Sequence, residues 1–358
     1  MKYRVGLVGA SRGSSLAAPF AALPETEIAA LCDLNEARLA EAARHFNVPE
    51  RRTYADFDEF LDAPLDIVVV GTPIQFHAEQ SVKALESGRH VLSEVTMAYT
   101  VEDCWRIIEA VKRTGKRYMM AENCCYWPFV QEWKAWIRGG RIGDVFYAEA
   151  EYIHNIQELL RDEKSGETYW RLNRPPIYYC SHSLGPLLYL TDDRIVSACG
   201  ADCGTGIMPD LGPGCLNMEV ALFKTQKGAV LKLLRSQVAY RPSIHYYSLY
   251  GTQGCLETDR IGGWGDRTGL LHERGKGAEK WDEIDCRVAR EDAATEELSG
   301  GHGTAEYDLV RDFVEAVMAD AQPPIDAVQA AGFTAPGIIA HASAQSGGRW
   351  MDVPVFSW

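Results

Sequence analysis

The feature that most limits the folds open to this chain is an alternation in its first third. Short apolar runs (YRVGLVG, EIAALCD, DIVVVGTP, HVLSE, RYMMAEN) are separated by segments with helical spacing such as NEARLAEAARHF and HAEQSVKALESG. A continuous apolar run suits a strand buried on both faces, and strands that alternate with amphipathic helices close as parallel crossovers. The expectation is a parallel, doubly wound α/β sheet. Thr100 followed by Asp103 has the pattern of a helix N-cap opening one of these crossovers.

After Pro128 the texture changes. GDVFYAEAEYIHN, NMEVALFKT and GAVLKLLRSQVAY alternate with a period of two, and TQKG reads as a hairpin connection, so a largely antiparallel sheet is expected. The glycine-rich stretch 259–280 reads as an irregular excursion, and helices are expected near 306–319 and 328–345. The chain thus divides into residues 1–124, an N-terminal doubly wound domain, and residues 125–358, a C-terminal α+β domain with a large, mostly antiparallel sheet.

Composition removes several function classes. A chain of 358 residues can bury two cores, and a net charge of -14 leaves no basic face for nucleic acid or an anionic membrane. No apolar run is long enough to span a bilayer, and the opening MKYRVGLVGAS runs straight into a strand, so no cleavable leader is expected. The ten cysteines are scattered in a chain too large to need a disulfide framework, which favours reduced thiols and the cytoplasm. Cys199 and Cys203 lack companions at ligand spacing, so no metal is expected.

The first strand leads into GLVGASRGSS, and Asp33 ends the second strand, 24 residues after Gly9. In a Rossmann unit such a turn brings backbone N–H groups against a pyrophosphate, while the acid takes the adenosine ribose hydroxyls. Ser11 and Ser14 stand at the second and third glycine places, with Gly13 beside them. Asp33 repels a 2′-phosphate and so favours NAD, although Arg12 keeps NADP within reach.

The stretch VVVGTPIQFHAEQSVKALESGRHVLSEVTMAYTVEDC sharpens this reading, because Thr72, Pro73, His77 and Glu94 match the Thr-Pro, helix-opening His and strand-ending Glu of one family. It resembles the Gfo/Idh/MocA oxidoreductases, and the likeness runs on to SAQSGGRWMDVPVF at the carboxyl end. The resemblance implies NAD held by Gly9, Ser11, Arg12, Gly13, Asp33, Thr72, Pro73, His77, Glu94 and Asn123, acting on a ring hydroxyl of a sugar or glycoside. It also implies a homodimer or homotetramer formed through the C-terminal sheet. The departure is Val95-Thr96, where the family carries Lys-Pro. The family lysine handles the hydroxyl proton, which valine cannot do.

ENCCY, YIHN and the Tyr-x-x-His of YYCSH are similar to one branch of that family, the NAD-dependent glycoside hydrolases typified by α-N-acetylgalactosaminidases. There lysine is already absent, and Tyr and His work in its place. The resemblance implies Tyr179, His182, Glu94 and Tyr126 as catalytic groups and His154, Asn155 and His302 as substrate contacts. Its redox-neutral route oxidises a hydroxyl, usually at carbon 3, eliminates the glycosidic oxygen, adds water and returns the hydride. Three functions follow: an NAD-dependent sugar oxidoreductase, a redox-neutral glycosidase, or a dinucleotide-binding sensor without catalysis. Each residue also has a plainer reading: His77 as a helix cap, Glu94 as a backbone hydrogen-bond partner, His154–Asn155 as a strand-end pair, Tyr126 as core, His302 as a helix start, and Tyr240, Tyr246 and Tyr247 as sheet residues.

Overall fold

The computed structural model describes residues 2–162, 165–211, 214–260, 268–277, 280–285 and 304–358. The chain divides into two compact units, the first made of Met1–Tyr126, Arg290–Ala331 and Phe356–Trp358, the second of Trp127–Ala289 and Gly332–Val355.

The first unit opens with β1 (Tyr3–Val8), α1 (Gly13–Ala22), β2 (Thr26–Cys32), α2 (Glu36–His45), β3 (Thr53–Tyr54) and α3 (Phe57–Leu61). It continues through β4 (Ile67–Val70), α4 (His77–Glu86), β5 (His90–Ser93), α5 (Val101–Thr114) and β6 (Tyr118–Met120). The strands form one parallel sheet in the order β3-β2-β1-β4-β5-β6, so the strand order reverses between β1 and β4. That reversal opens a crevice at the carboxyl ends of the two strands, the place where open α/β sheets bind ligands. All four residues of β4 (IVVV) are fully buried, each worth about 1.5–3 kcal/mol of hydrophobic stabilisation. The Thr100 hydroxyl accepts the Asp103 N–H at 3.0 Å, the cap expected for α5.

Residues 125–358 were expected to form a single continuous domain, but the packing is discontinuous. The helix Thr304–Met318 returns to the first unit, where Phe313 meets Phe20 of α1 edge-on at 6.3 Å, both rings fully buried. Met120 N–H donates to the Ile325 carbonyl, and Trp105 packs on Phe356 at 4.7 Å. These contacts join segments far apart in sequence, so no local pattern announces them.

The second unit contains α6 (Pro128–Arg138), β7 (Val145–Ile153), α7 (Ser181–Thr191), β8 (Ile195–Asp202), β9 (Met218–Thr225), β10 (Val230–Ser236) and β11 (Ile244–Gly251). Next come β12 (Gly254–Thr258), β13 (Thr268–Glu273), β14 (Asp282–Asp285) and, after α8 (the helix Thr304–Met318), α9 (Ala327–Ala344) and β15 (Met351–Asp352). Nine strands form one sheet, β14-β13-β12-β11-β7-β10-β9-β8-β15, antiparallel throughout except where β10 lies parallel to β7. The stretch expected to be irregular therefore contributes β13, anchored by the fully buried Leu271. Its flanking glycines hide a short alternating pattern.

Register sets the chemistry of this sheet. Arg235 of β10 lies opposite Glu219 of β9 on one side and Tyr152 of β7 on the other, and Tyr152 lies opposite His245 of β11. Because side chains alternate between faces, one row of one face carries Glu219, Arg235, Tyr152 and His245. No helix among the described residues is long and apolar enough to cross a membrane.

Candidate functional site

The glycine turn of the first unit is built by backbone pressed on backbone. Gly9 has φ +90°, and a Cβ there would stand 2.5 Å from the Gly71 carbonyl carbon. A Cβ on Gly71 would in turn stand 2.5 Å from Gly13 Cα. Only glycine fits such an approach, and it leaves the turn between β1 and α1 open to a ligand's phosphates at the amino end of a ten-residue helix. Asp33 faces this turn: its Oδ2 accepts the Ala10 N–H at 2.7 Å and its Oδ1 accepts the Asn35 N–H at 2.7 Å. A cradle that any Cβ would fill, with a carboxylate fixed at the end of β2, fits a dinucleotide.

Arg12, at the cap of α1, is held by two carboxylates. Its Nε stands 2.7 Å from Glu94 Oε1 and its Nη2 2.6 Å from Glu306 Oε1, and both acids are buried. The guanidinium is therefore engaged inside the unit and does not stand ready for an adenosine 2′-phosphate. Glu94 also accepts the N–H of Val95, and Val95 itself is buried, so the family lysine's place is apolar here.

His77, almost fully buried, faces the Thr96 carbonyl with Nδ1 (2.8 Å) and the Thr72 carbonyl with Nε2 (2.7 Å), and so ties the start of α4 to the segment after β5. Burial outweighs those two carbonyls and holds the ring below the usual histidine range, toward its neutral form. Thr72 gives its hydroxyl to Gln80, and Pro73 caps the short 3-10 turn Ile74–Phe76. Asn123 is buried, and its Nδ2 has no partner among the described residues, an open donor at the carboxyl end of β6. Tyr126 is buried with its phenol near the Asp312 carboxyl on α8, whose proton affinity is raised by burial and lowered in part by that phenol. Ser11 stands in the turn with its neighbours Arg12 and Gly13.

In the second unit, Tyr179 ends the 3-10 turn Pro176–Tyr179, and His182 lies in the first turn of α7, their rings perpendicular at 4.9 Å. Three contacts pin that turn. Glu219 Oε2 accepts the Ile177 N–H at 2.8 Å, while its Oε1 faces His341 Nδ1 of α9 at 2.7 Å. A Cβ on Gly337 of α9 would meet the Ile177 carbonyl oxygen at 2.4 Å, so the helix lies directly against the turn. The Tyr247 hydroxyl donates to the His182 carbonyl.

The row across the sheet completes the cluster. Tyr152 stacks on His245 at 3.8 Å, lies 5.7 Å from His182 and 6.4 Å from Tyr179, and its hydroxyl meets His154 Nδ1 at 2.9 Å. Trp127 closes on His245 edge-on at 5.0 Å. Asn155 turns its Oδ1 to the Gln157 N–H, shaping the loop beyond β7. His302 lies outside the described residues.

Sequence reasoning brought forward Tyr179, His182 and His154 but passed over Tyr152, Arg174, Glu219, Arg235 and His245, and it read Tyr247 as a plain sheet residue. One signal was available. In VLKLLRS, Arg235 falls in phase with the buried Leu231 and Leu233, and in IHYYSLYG, His245 and Tyr247 fall in phase with buried Leu249. A polar side chain in phase with a strand's apolar face is one the fold must bury.

Comparison with known proteins agrees with this geometry. Residues 3–122 match the oxidoreductase family with an NAD-binding Rossmann fold, and residues 216–358 match the C-terminal domain of glycosyl hydrolase 109. A glycosyl hydrolase family 109 protein of Shewanella baltica (strain OS155) is 30% identical over 342 residues, covering 85% of this chain and 74% of that protein. Glycosyl hydrolase family 109 protein 1 of Shewanella sp. (strain ANA-3) is 28% identical over 392 residues, covering 99% and 85%. Among solved structures, levoglucosan dehydrogenase in complex with NADH and levoglucosan has a TM-score of 0.83 at 19% identity, covering 99% of this chain and 100% of that one. Aldose-aldose oxidoreductase from Caulobacter crescentus, complexed with glycerol, has a TM-score of 0.77 at 20% identity with the same coverage, and both are likenesses of fold. The chain belongs to glycosyl hydrolase family 109, built on the NAD-binding fold of the Gfo/Idh/MocA oxidoreductases.

Proposed function

We propose that the chain cleaves glycosides without net oxidation, by transient oxidation of a ring hydroxyl at carbon 3, elimination of the glycosidic oxygen and addition of water. The observation that carries this reading is the exchange of proton-handling groups. The place of the family lysine holds buried Val95, while Tyr152, Tyr179, His154, His182 and His245 are gathered around one row of the second unit's sheet. Elimination needs two protons moved in sequence, one from the hydroxyl and one from the carbon beside the new ketone, which suits several acid–base groups better than a single lysine. The match of residues 216–358 to the glycosyl hydrolase 109 domain supports the same reading.

NAD, when bound, supplies reversible hydride exchange with a sugar carbon. Gly9, Gly13 and Asp33 hold it, with Asn123 offering a further donor. Ser11, Thr72 and Pro73 line the same strand ends, and Glu94 and His77 fix the backbone around them. Tyr179 and His182 take and return the sugar protons, His154 and Asn155 contact substrate hydroxyls, and Tyr126 steadies the unit through Asp312. Tyr179→Phe or His182→Ala is expected to lower turnover by about 10²- to 10⁴-fold and leave NAD binding intact. Chromogenic glycosides incubated with the purified protein, with aglycone and NADH absorbance followed together, test the reaction type. Aglycone accumulating over many turnovers without lasting NADH is the expected result. NADH rising with substrate loss, and only with free NAD supplied, would make the chain a net sugar dehydrogenase instead.

The open face of the large sheet presents Val220, Leu222 and Tyr250, 37%, 38% and 39% exposed, which supports a homodimer or homotetramer through that face. A monomer by light scattering would contradict it. The nine described cysteines are free, which supports a reducing, cytoplasmic location; recovery in a secreted fraction would count against it.

A further inference from the structure

Two guanidiniums lie buried behind the tyrosines of the second unit, and neither ion-pairs with a carboxylate among the described residues. Arg174 is 2% exposed and Arg235 1%. Arg174 donates to Gln237 Oε1 at 3.2 Å, and Arg235 donates to the carbonyls of Tyr152 (3.2 Å) and Ser236. The Nε of each has no hydrogen-bond partner among the described residues. Glu219 shares the row with Arg235, but its oxygens are taken by His341 and the Ile177 N–H. Burial first, and then the charge of Arg235, press the Arg174 guanidinium down to about 9.

A cation removed from water without an anion is strongly unfavourable. Two such cations side by side point to a negative charge that appears beside them during the working cycle. What they face is aromatic: Arg174 lies 4.6 Å from the Tyr179 ring centre, and Arg235 lies 4.0 Å from that of Tyr152 and 5.8 Å from that of Tyr179. A cation over a phenol face is held by the ring electrons and held more strongly once the phenol has lost its proton. Of the two tyrosines, Tyr152 is buried and Tyr179 is partly exposed, so Tyr179 is the one a substrate can reach.

We propose that Arg174 and Arg235 are positioning residues that stabilise a phenolate at Tyr179, making the tyrosine, and not His182, the group that carries negative charge in the cycle. The phenolate oxygen takes a sugar proton, forming its own O–H bond as the sugar O–H bond breaks, and gives it back when the hydroxyl is restored. Among the described residues of the second unit, the charged and titratable groups around it include Arg174 and Arg235, with Arg171 close to the same Trp170 ring as Arg174; His182 across from the ring; Tyr152 with His154 and His245 against it; and Glu219 paired with His341 beneath the turn.

The catalytic meaning of this phenolate rests on the glycosidase reading; its existence does not, and a titration without substrate separates the two. The tyrosinate ultraviolet band of the purified protein is followed against pH, and subtraction of the Tyr179→Phe trace isolates one phenol. Two guanidiniums at these distances are expected to bring Tyr179 about two units below the ordinary value of about 10. Arg235→Met is expected to return it upward by about one unit, Arg235→Lys to leave it low, and the acid limb of kcat/KM to move with each variant. If Arg235→Met does not fold, as judged by circular dichroism, Arg174→Gln carries the same comparison. Tyr179 titrating at its ordinary value in the unaltered protein, or unmoved in both charge-removing variants, overturns the proposal. A low-titrating Tyr179 in a protein that cleaves no glycoside would sink the function and leave the arginine effect standing.

Discussion

Gly337→Ala adds a single methyl group on α9, which carries neither Tyr179 nor His182, yet is expected to act on catalysis. The new Cβ would stand 2.4 Å from the Ile177 carbonyl oxygen, 2.5 Å from Cys180 Sγ and 3.3 Å from Cys180 Cβ. Carbon and carbonyl oxygen approach no closer than about 3.3 Å in ordinary contact, so helix or turn must give way by about 1 Å. The obstacle is backbone, held also by Glu219 at the Ile177 N–H, and the turn carries Tyr179 two residues on and His182 just beyond. A displacement of about 1 Å in a reacting group costs about 10²-fold in rate. Overpacking adds about 1–3 kcal/mol of instability, partly offset by about 1 kcal/mol from alanine's better helix propensity. The expected outcome is a fall of about 10²-fold in kcat for aglycone release, with a urea-midpoint loss of about 2 kcal/mol or less and NAD affinity unchanged. Full activity in a folded Gly337→Ala protein would refute the claim that α9 sets the position of Tyr179.

Asp33→Ala removes the acceptor for the Ala10 N–H and the negative charge at the end of β2. NAD affinity should fall about 10- to 100-fold and the preference over NADP should shrink, read by calorimetric titration of both; an unchanged ratio would contradict Asp33 as the selector. Glu306→Gln removes the charge of one of the two carboxylates on Arg12 and is expected to destabilise the first unit by about 1.5–3 kcal/mol in urea, while a neutral outcome would mean that repulsion between the two acids cancels the bond. His90 accepts the Arg117 N–H on Nδ1, and burial, followed by the nearby Lys116 and Arg117 charges, lowers it to about 4. The unfolded chain therefore binds this proton first, so stability should drop as pH falls from about 6.5 toward about 4. His77, shifted in the same direction, should add to the drop. His90→Gln should flatten the decline in urea midpoint over that range, and an unaltered slope would exclude His90 as a source.

What was legible from sequence had local causes. Gly9, Gly13 and Asp33 belong to one strand–turn–helix–strand unit whose geometry is settled within a few dozen residues, and Tyr179 and His182 are three apart, a spacing that a turn entering a helix brings together. The fold class followed for the same reason, since apolar period and turn residues act over short range. The engagement of Arg12 was not legible, because one of its carboxylates comes from position 306, 294 residues away. Nor was β13, whose glycine-rich setting masks two buried-face positions.

By itself the sequence determined a doubly wound first unit with a dinucleotide turn, an antiparallel second sheet, and the replacement of a lysine by Val95, because strand and helix periods and turn chemistry are properties of neighbouring residues. Only the tertiary structure decided that Glu219, Arg235, Tyr152 and His245 stand in one row, that α9 presses Gly337 against the turn bearing Tyr179, and that Arg12 is clamped by two acids. Each of these depends on the register of strands or the docking of helices separated by tens to hundreds of residues, and a one-residue shift of any strand in the row would send that strand's side chain to the opposite face.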